Sequence, residues 1–132
     1  RGTMIGGSMM HMTARDYARF GEFLRHKGRV NGHQVLSARW VDFMTAPSAR
    51  NPAYGGQLWL NRRGDAEEEE GPLFPGRGSK RIFAAIGKGG QYLLVAPGQK
   101  LVVLRIGVTH GKEETETLRD ALARLVERFP TN

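Results

Sequence analysis

The 132-residue sequence contains no cysteine, so disulfides and thiolate metal sites are excluded and the redox compartment is left open. It has no apolar run near the length of a membrane-crossing helix, and no secretory signal pattern opens it. Arg1 begins in mid-segment, and the native N-terminus is expected to lie upstream. Several catalytic patterns are missing as well. No Ser-x-x-Lys or Gly-x-Ser-x-Gly occurs, and Ser8, set in "GGSMM", has no base at a useful spacing and reads as structural. The phosphate-loop pattern fails twice around Gly87-Lys88, because Ile82 leads it and Gly89 follows the lysine. "GRGSKR" ends in Arg81 where a dinucleotide fingerprint needs glycine. His11, His26, His33 and His110 have no metal-ligand spacing and read as surface or hydrogen-bonded groups. Neither a metal nor a cofactor is expected.

What is present is an ordinary globular composition, 39% hydrophobic and 25% charged, with a length that suits one domain or a piece of one. The formal charge is +7, unevenly distributed. Asp65 and Glu67 to Glu70 form a block, and setting aside those five carboxylates leaves about twelve excess positive charges on the rest. Such a balance can attract nucleic acid, anionic lipid or acidic substrates. The arginines are scattered, with no aromatic-interleaved stripe, so nucleic acid is not the expected partner. The stretch from Arg62 to Arg81, rich in Gly, Pro and charge, reads as a mobile loop.

The periodicity predicts an α+β fold. Thr13 caps a first helix, Asp16 completes the cap, Tyr17, Phe20 and Leu24 share a face with Phe23 widening it, and Gly28 closes the helix. A shorter helix starts at Ser37 and ends before Pro47. "YGGQLWLN" gives a short strand in which Leu58 and Leu60 alternate with Trp59. Strands follow at Ile82 to Gly87, at Gln91 to Ala96 and through "LVVLRIGVTH", and their close spacing demands antiparallel hairpins. A last helix runs from Glu113 to Phe129, with Leu118, Leu122, Leu125 and Phe129 on one face, supported by Ala121 and Val126.

The bend in "FAAIGKGGQYLLVAP" has two readings. Gly87, Gly89 and Gly90 either make a plain turn or let main-chain N–H groups approach a ligand and hold a developing oxyanion. Gln91 either hydrogen-bonds near such a cleft or closes the hairpin. Tyr54 and Trp59 either line a substrate region or pack as core. Arg105 is expected to face outward or to be paired.

The strings "GGSMMHMTARDYARFGEFLRHKGRVNGHQVLSARWVDFM", "YGGQLWLN" and "FAAIGKGGQYLLVAPGQKLVVLRIG", in that order, resemble the C-terminal part of the serine β-lactamase and penicillin-binding-protein superfamily. The nearest likeness is to its esterases and 6-aminohexanoate-dimer hydrolases, and it covers nearly the whole chain, residues 1–132. The resemblance implies a bacterial hydrolase, periplasmic or cytoplasmic, that cleaves a small ester or amide through an acyl-enzyme. Its serine and lysine come from a Ser-x-x-Lys motif and its tyrosine from a second motif, both preceding the matched region. The implied role of this chain is an antiparallel meander, flanked by N-terminal helices and a C-terminal helix, whose edge strand lines the cleft.

Two registers are open on that strand. In one, Ala85, Ile86 and Gly87 take the Lys-Thr-Gly positions and the backbone N–H of Lys88 is an oxyanion donor. In the other, Lys88, Gly89 and Gly90 take them and the ammonium binds a substrate carboxylate. Either departure from Lys-Thr-Gly argues against β-lactam recognition. The implied partners are the missing N-terminal part of the protein, which should supply strands beside "LVVLRIGVTH", or a second copy associating through that exposed sheet edge.

Overall fold

Thr13 opens the first helix, α1 (Ala14–Arg25), as a short polar side chain before an amphipathic run should. Its hydroxyl oxygen accepts from the Asp16 amide at 3.2 Å, and its hydroxyl donates to the Asp16 carboxylate at 2.7 Å. That hydrogen bond, reinforced by Arg19 at 2.9 Å, holds the Asp16 carboxyl below the usual range. At the far end Gly28 adopts φ +80 and donates to the Phe23 carbonyl. A Cβ there would also lie 2.3 Å from the Leu36 carbonyl oxygen, so only glycine fits. The computed structural model in which these features are seen describes residues 10–64 and 71–131. Ser8 and the acidic block of Asp65 and Glu67 to Glu70 lie outside the described residues.

A two-strand hairpin follows, β1 (Arg29–Val30) with β2 (His33–Gln34), which periodicity did not suggest. Asn31 (φ +47) and Gly32 (φ +82) between them supply the two left-handed residues that such a tight turn needs. Helix α2 (Ala38–Met44) begins after Ser37, whose carbonyl accepts from the Trp40 and Val41 amides while its hydroxyl makes no capping bond. The main sheet has the order β3 (Trp59–Leu60), β4 (Phe83–Gly87), β5 (Gln91–Ala96), β6 (Leu101–Arg105), every pair antiparallel. Its register runs from Gly87↔Gln91 to Phe83↔Val95 in one pair and from Tyr92↔Arg105 to Ala96↔Leu101 in the next. The fold is therefore α+β, an antiparallel meander with helices on either side.

The two-residue strand period divides the core into two layers. Ala84, Ile86, Tyr92, Leu94 and Val103 face helix α3 (Gly111–Glu127). Leu60, Phe83, Ala85, Val95 and Val102 face α1 through Leu24 and Phe20. Gly21 allows the close approach of α1 to the sheet, because a Cβ there would lie 2.6 Å from Val102 Cγ1 and 3.0 Å from Leu93 Cδ1.

Three expectations change. The face of α3 that packs on the sheet is Leu118, Leu122, Ala123 and Val126, whereas Leu125 and Phe129 are 39% and 41% exposed. At about 100° per residue from Leu118, Leu122, Val126 and Ala123 turn progressively to one side, whereas Leu125 falls on the opposite margin of the stripe and Phe129 lies beyond Glu127, where the helix has ended. The last strand ends at Arg105 rather than continuing to His110. Beyond it Ile106 and Val108 are 57% and 69% exposed, and the chain folds back so that the Thr109 amide donates to the Gly89 carbonyl at 2.8 Å.

The stretch from 71 to 81, read as part of a loose loop, has no helix or strand but carries the core residues Leu73 and Phe74. It is held from several sides. Asn61, 2% exposed, donates from Nδ2 to the carbonyls of Arg77 and Ser79 and accepts from the Phe74 amide. Tyr92 donates its hydroxyl to the Pro72 carbonyl at 3.0 Å, and burial pushes that phenol's pKa up. Arg77 binds Asp120 at 2.7 Å and chelates Glu127 with two nitrogens at 2.9 and 2.8 Å.

Candidate functional site

The bend joining β4 to β5 is a three-residue turn, Lys88-Gly89-Gly90, closed by the Gly87↔Gln91 pair. Ala85, Ile86 and Gly87 are strand, and Lys88, Gly89 and Gly90 are turn. Gly89 and Gly90 adopt φ +78 and +77, the left-handed region that side chains disfavour. At Gly90 space matters as well, since a Cβ would meet Thr109 Oγ1 at 3.1 Å and Leu118 Cδ2 at 3.2 Å.

The turn is braced from outside. Arg105, half-buried on the α3 face of β6, donates from Nη1 to the Gly90 carbonyl at 2.7 Å and the Gly89 carbonyl at 3.3 Å. Gln91 Nε2 donates to the Lys88 carbonyl at 3.3 Å, so this side chain fastens the hairpin. Both carbonyls held by Arg105 lie on the side of the turn nearest β6. Arg105 is therefore a paired cation, and the residue it organises is not in its own strand.

Peptide alternation fixes where the Lys88 amide points. The Asn61 amide donates to the Ile82 carbonyl at 3.0 Å, so Ile82, Ala84 and Ile86 aim their main-chain groups towards β3. Phe83, Ala85 and Gly87 aim theirs towards β5. The amide hydrogen that follows the Gly87 carbonyl, on Lys88, is thus turned to the opposite edge, the peptides being trans. β3 has ended by that point, because its pairs stop at Trp59↔Ala84. Gly87 and Lys88 are exposed, and among the described residues the Lys88 amide donates to no main-chain carbonyl.

The remaining expected residues gather loosely round this edge. Ala85 is half-buried against the α1 layer and Ile86 against the α3 layer. Trp59 and Ile86 border a cleft of about 440 Å³ that Arg119 and Lys112 close from α3. Tyr54 lies one chain further out, bridged to Trp59, with ring centroids 4.7 Å apart and edge to face. It supports Trp59 more directly than it borders the bend. A second cleft of about 330 Å³ lies behind the turn, between Arg105 and Leu118. Neither cleft is lined by a serine, and the hydroxyls of Thr115 and Thr117 are turned back to the helix carbonyls of Gly111 and Glu113.

What this arrangement offers is a fixed N–H donor on an open strand edge. It can hold a carbonyl oxygen or an oxyanion, and among the described residues no serine lines the clefts beside it. Sequence reasoning missed Arg105 as the brace of the turn, because its partners are 15 and 16 residues away and no local pattern marks them.

No protein-family model matches the sequence, and no curated protein matches it. Among solved structures, the chain is similar to a putative 6-aminohexanoate-dimer hydrolase from Bacillus anthracis, with TM-score 0.61 and 22% identity. The match covers 90% of this chain and 30% of that one, so the chain spans about a third of the length of its structural relative. At that identity the likeness concerns the fold. The three helices and antiparallel sheets correspond to part of a β-lactamase-like fold, the fold of that relative.

Proposed function

We propose that this chain is the C-terminal, sheet-bearing part of a β-lactamase-related serine hydrolase that cleaves ester or amide bonds through an acyl-enzyme. Its contribution is one half of the oxyanion pocket. The observation that carries this reading is the Lys88 amide, unspent and turned to the open edge of β4 where β3 has stopped. A serine hydroxyl from a Ser-x-x-Lys segment outside these 132 residues attacks the substrate carbonyl, and the carbonyl oxygen gains charge as it becomes tetrahedral. The Lys88 N–H, with the amide of that serine, holds the charge. Ala85, Ile86 and Gly87 form the strand wall, while Gly89 and Gly90 shape the turn that sets the donor's direction. Gln91 and Tyr54 border the pocket through the Lys88 carbonyl and Trp59. The geometry favours the register with Ala85-Ile86-Gly87 on the strand, because Lys88-Gly89-Gly90 is the turn itself.

Two measurements test the reading. The 132-residue chain alone is expected to give no saturable turnover of a chromogenic ester, since its sequence has no Ser-x-x-Lys and no tyrosine motif beside one; saturable turnover by the pure chain would overturn the assignment. In the intact hydrolase, Lys88→Pro removes the donor hydrogen and is expected to lower kcat about 100-fold, the usual loss for one oxyanion donor. Lys88→Ala keeps the hydrogen and should stay near the parent rate. Equal losses in both variants would assign the effect to the side chain and favour the other register.

A further inference from the structure

The glycine bend has more conformational freedom than a donor of fixed direction can tolerate. Gly89 and Gly90 stand side by side at φ +78 and +77, and glycine leaves that region for its mirror image at little cost. The peptides after Lys88 can therefore turn over, and the Lys88 amide with them, unless other groups hold them. Three peptides follow Lys88 before β5 is under way, and each is held by its carbonyl. Gln91 Nε2 holds the first, at the Lys88 carbonyl, over a long 3.3 Å. The second, at the Gly89 carbonyl, receives the Thr109 amide at 2.8 Å and Arg105 Nη1 at 3.3 Å. The third, at the Gly90 carbonyl, receives Arg105 Nη1 at 2.7 Å. Thr109 serves Gly89 and not Gly90, so the peptide that leads into β5 depends on the guanidinium.

We infer, on the reading of Lys88 as an oxyanion donor, that Arg105 is a positioning residue for hydrolysis. It aims the Lys88 N–H at the substrate oxygen without touching the substrate. The carbonyls it grips lie on the side of the turn nearest β6, away from the edge to which the Lys88 amide is turned, so its action passes through the backbone. A guanidinium suits this task. It stays protonated wherever a hydrolase works, and its charge strengthens bonds to neutral carbonyls. Half-buried on the α3 face, it is also tethered by the strand that carries it. A donor that has drifted from its aim loses most where charge develops, in the transition state, and least in the bound ester or amide.

The test is a double-mutant cycle in the intact hydrolase, read as kcat and KM separately. Arg105→Met keeps an unbranched stem and is expected to lower kcat about tenfold with KM within about twofold of the parent. Arg105→Lys keeps a cationic donor on a different stem and is expected to lose about threefold, again in kcat. In the Lys88→Pro background, where the donor hydrogen is gone, neither substitution is expected to lower kcat further. The lysine variant carries the cycle if the methionine variant does not fold. A raised KM with kcat unchanged would overturn the inference by placing Arg105 in substrate binding. Equal losses with and without the Lys88 hydrogen would overturn it as well, since the arginine would then act by its field or by general stability. If Lys88→Pro lowers kcat and neither Arg105 variant does, this inference alone fails. If Lys88→Pro leaves kcat unchanged, the oxyanion reading fails and takes this one with it.

Discussion

Asn61 is the buried polar side chain that secures the segment from 71 to 79 to the sheet. Its amide group satisfies the Arg77 carbonyl and the Phe74 N–H, and shares the Ser79 carbonyl with the Ile82 amide. Asn61→Leu keeps the volume and strands the Arg77 carbonyl and the Phe74 N–H, so it is expected to cost about 2 kcal/mol in urea unfolding, each buried orphan costing about 1–3 kcal/mol when fully desolvated. A loss under about 1 kcal/mol would mean that water replaces the amide. At this scale the sequence was legible where partners are close in the chain. Thr13, Asp16 and Gly28 could be assigned because capping is settled within four or five residues. Asn61 and Arg105 could not, since their partners lie 13 to 18 and 15 to 16 residues away.

Among elements, the junction between the 71–81 segment and α3 depends on Arg77, which spans one helical turn and more by gripping Asp120 and Glu127. The hydrogen bonds from Arg77 hold both carboxyls below their ordinary range, with Arg124 adding to the effect at Asp120. In the window just below pH 4 the unfolded chain therefore binds more protons than the folded one. The stabilisation is complete above the ordinary carboxylate pKa and disappears as pH falls through the depressed values. These groups are exposed, so the effect is modest and screened by salt. The melting temperatures of the parent and of Arg77→Ala are expected to differ most near about pH 6 and to converge towards about pH 3. A gap that stays constant across this range would mean that the arginine acts by packing alone. Apart from the β1–β2 hairpin, element order and type were readable from hydrophobic period and turn residues, and so were the antiparallel β4–β5 and β5–β6 pairings, because such short connections permit nothing else. The packing face of α3 was not, because several apolar residues at helical spacing admit two neighbouring stripes and only the sheet selects between them. The end of β6 was not readable either, for the apolar run continues after the strand stops.

For the molecule as a whole, the formal charge of +7 makes copies of the chain repel one another, a repulsion that salt screens. At this scale the sequence revealed an α+β architecture and a resemblance to a hydrolase fold, and the structural relative three times its length agrees with that fold. The direction of the Lys88 amide was not legible, because it is set by the pairing of β4 with its neighbours and not by any local pattern.

The guanidinium of Arg105 gives the last strand a grip on the glycine bend two strands away. Shortening that one side chain would remove both bonds to the bend, so the course of the turn is written partly in a strand to which it does not belong.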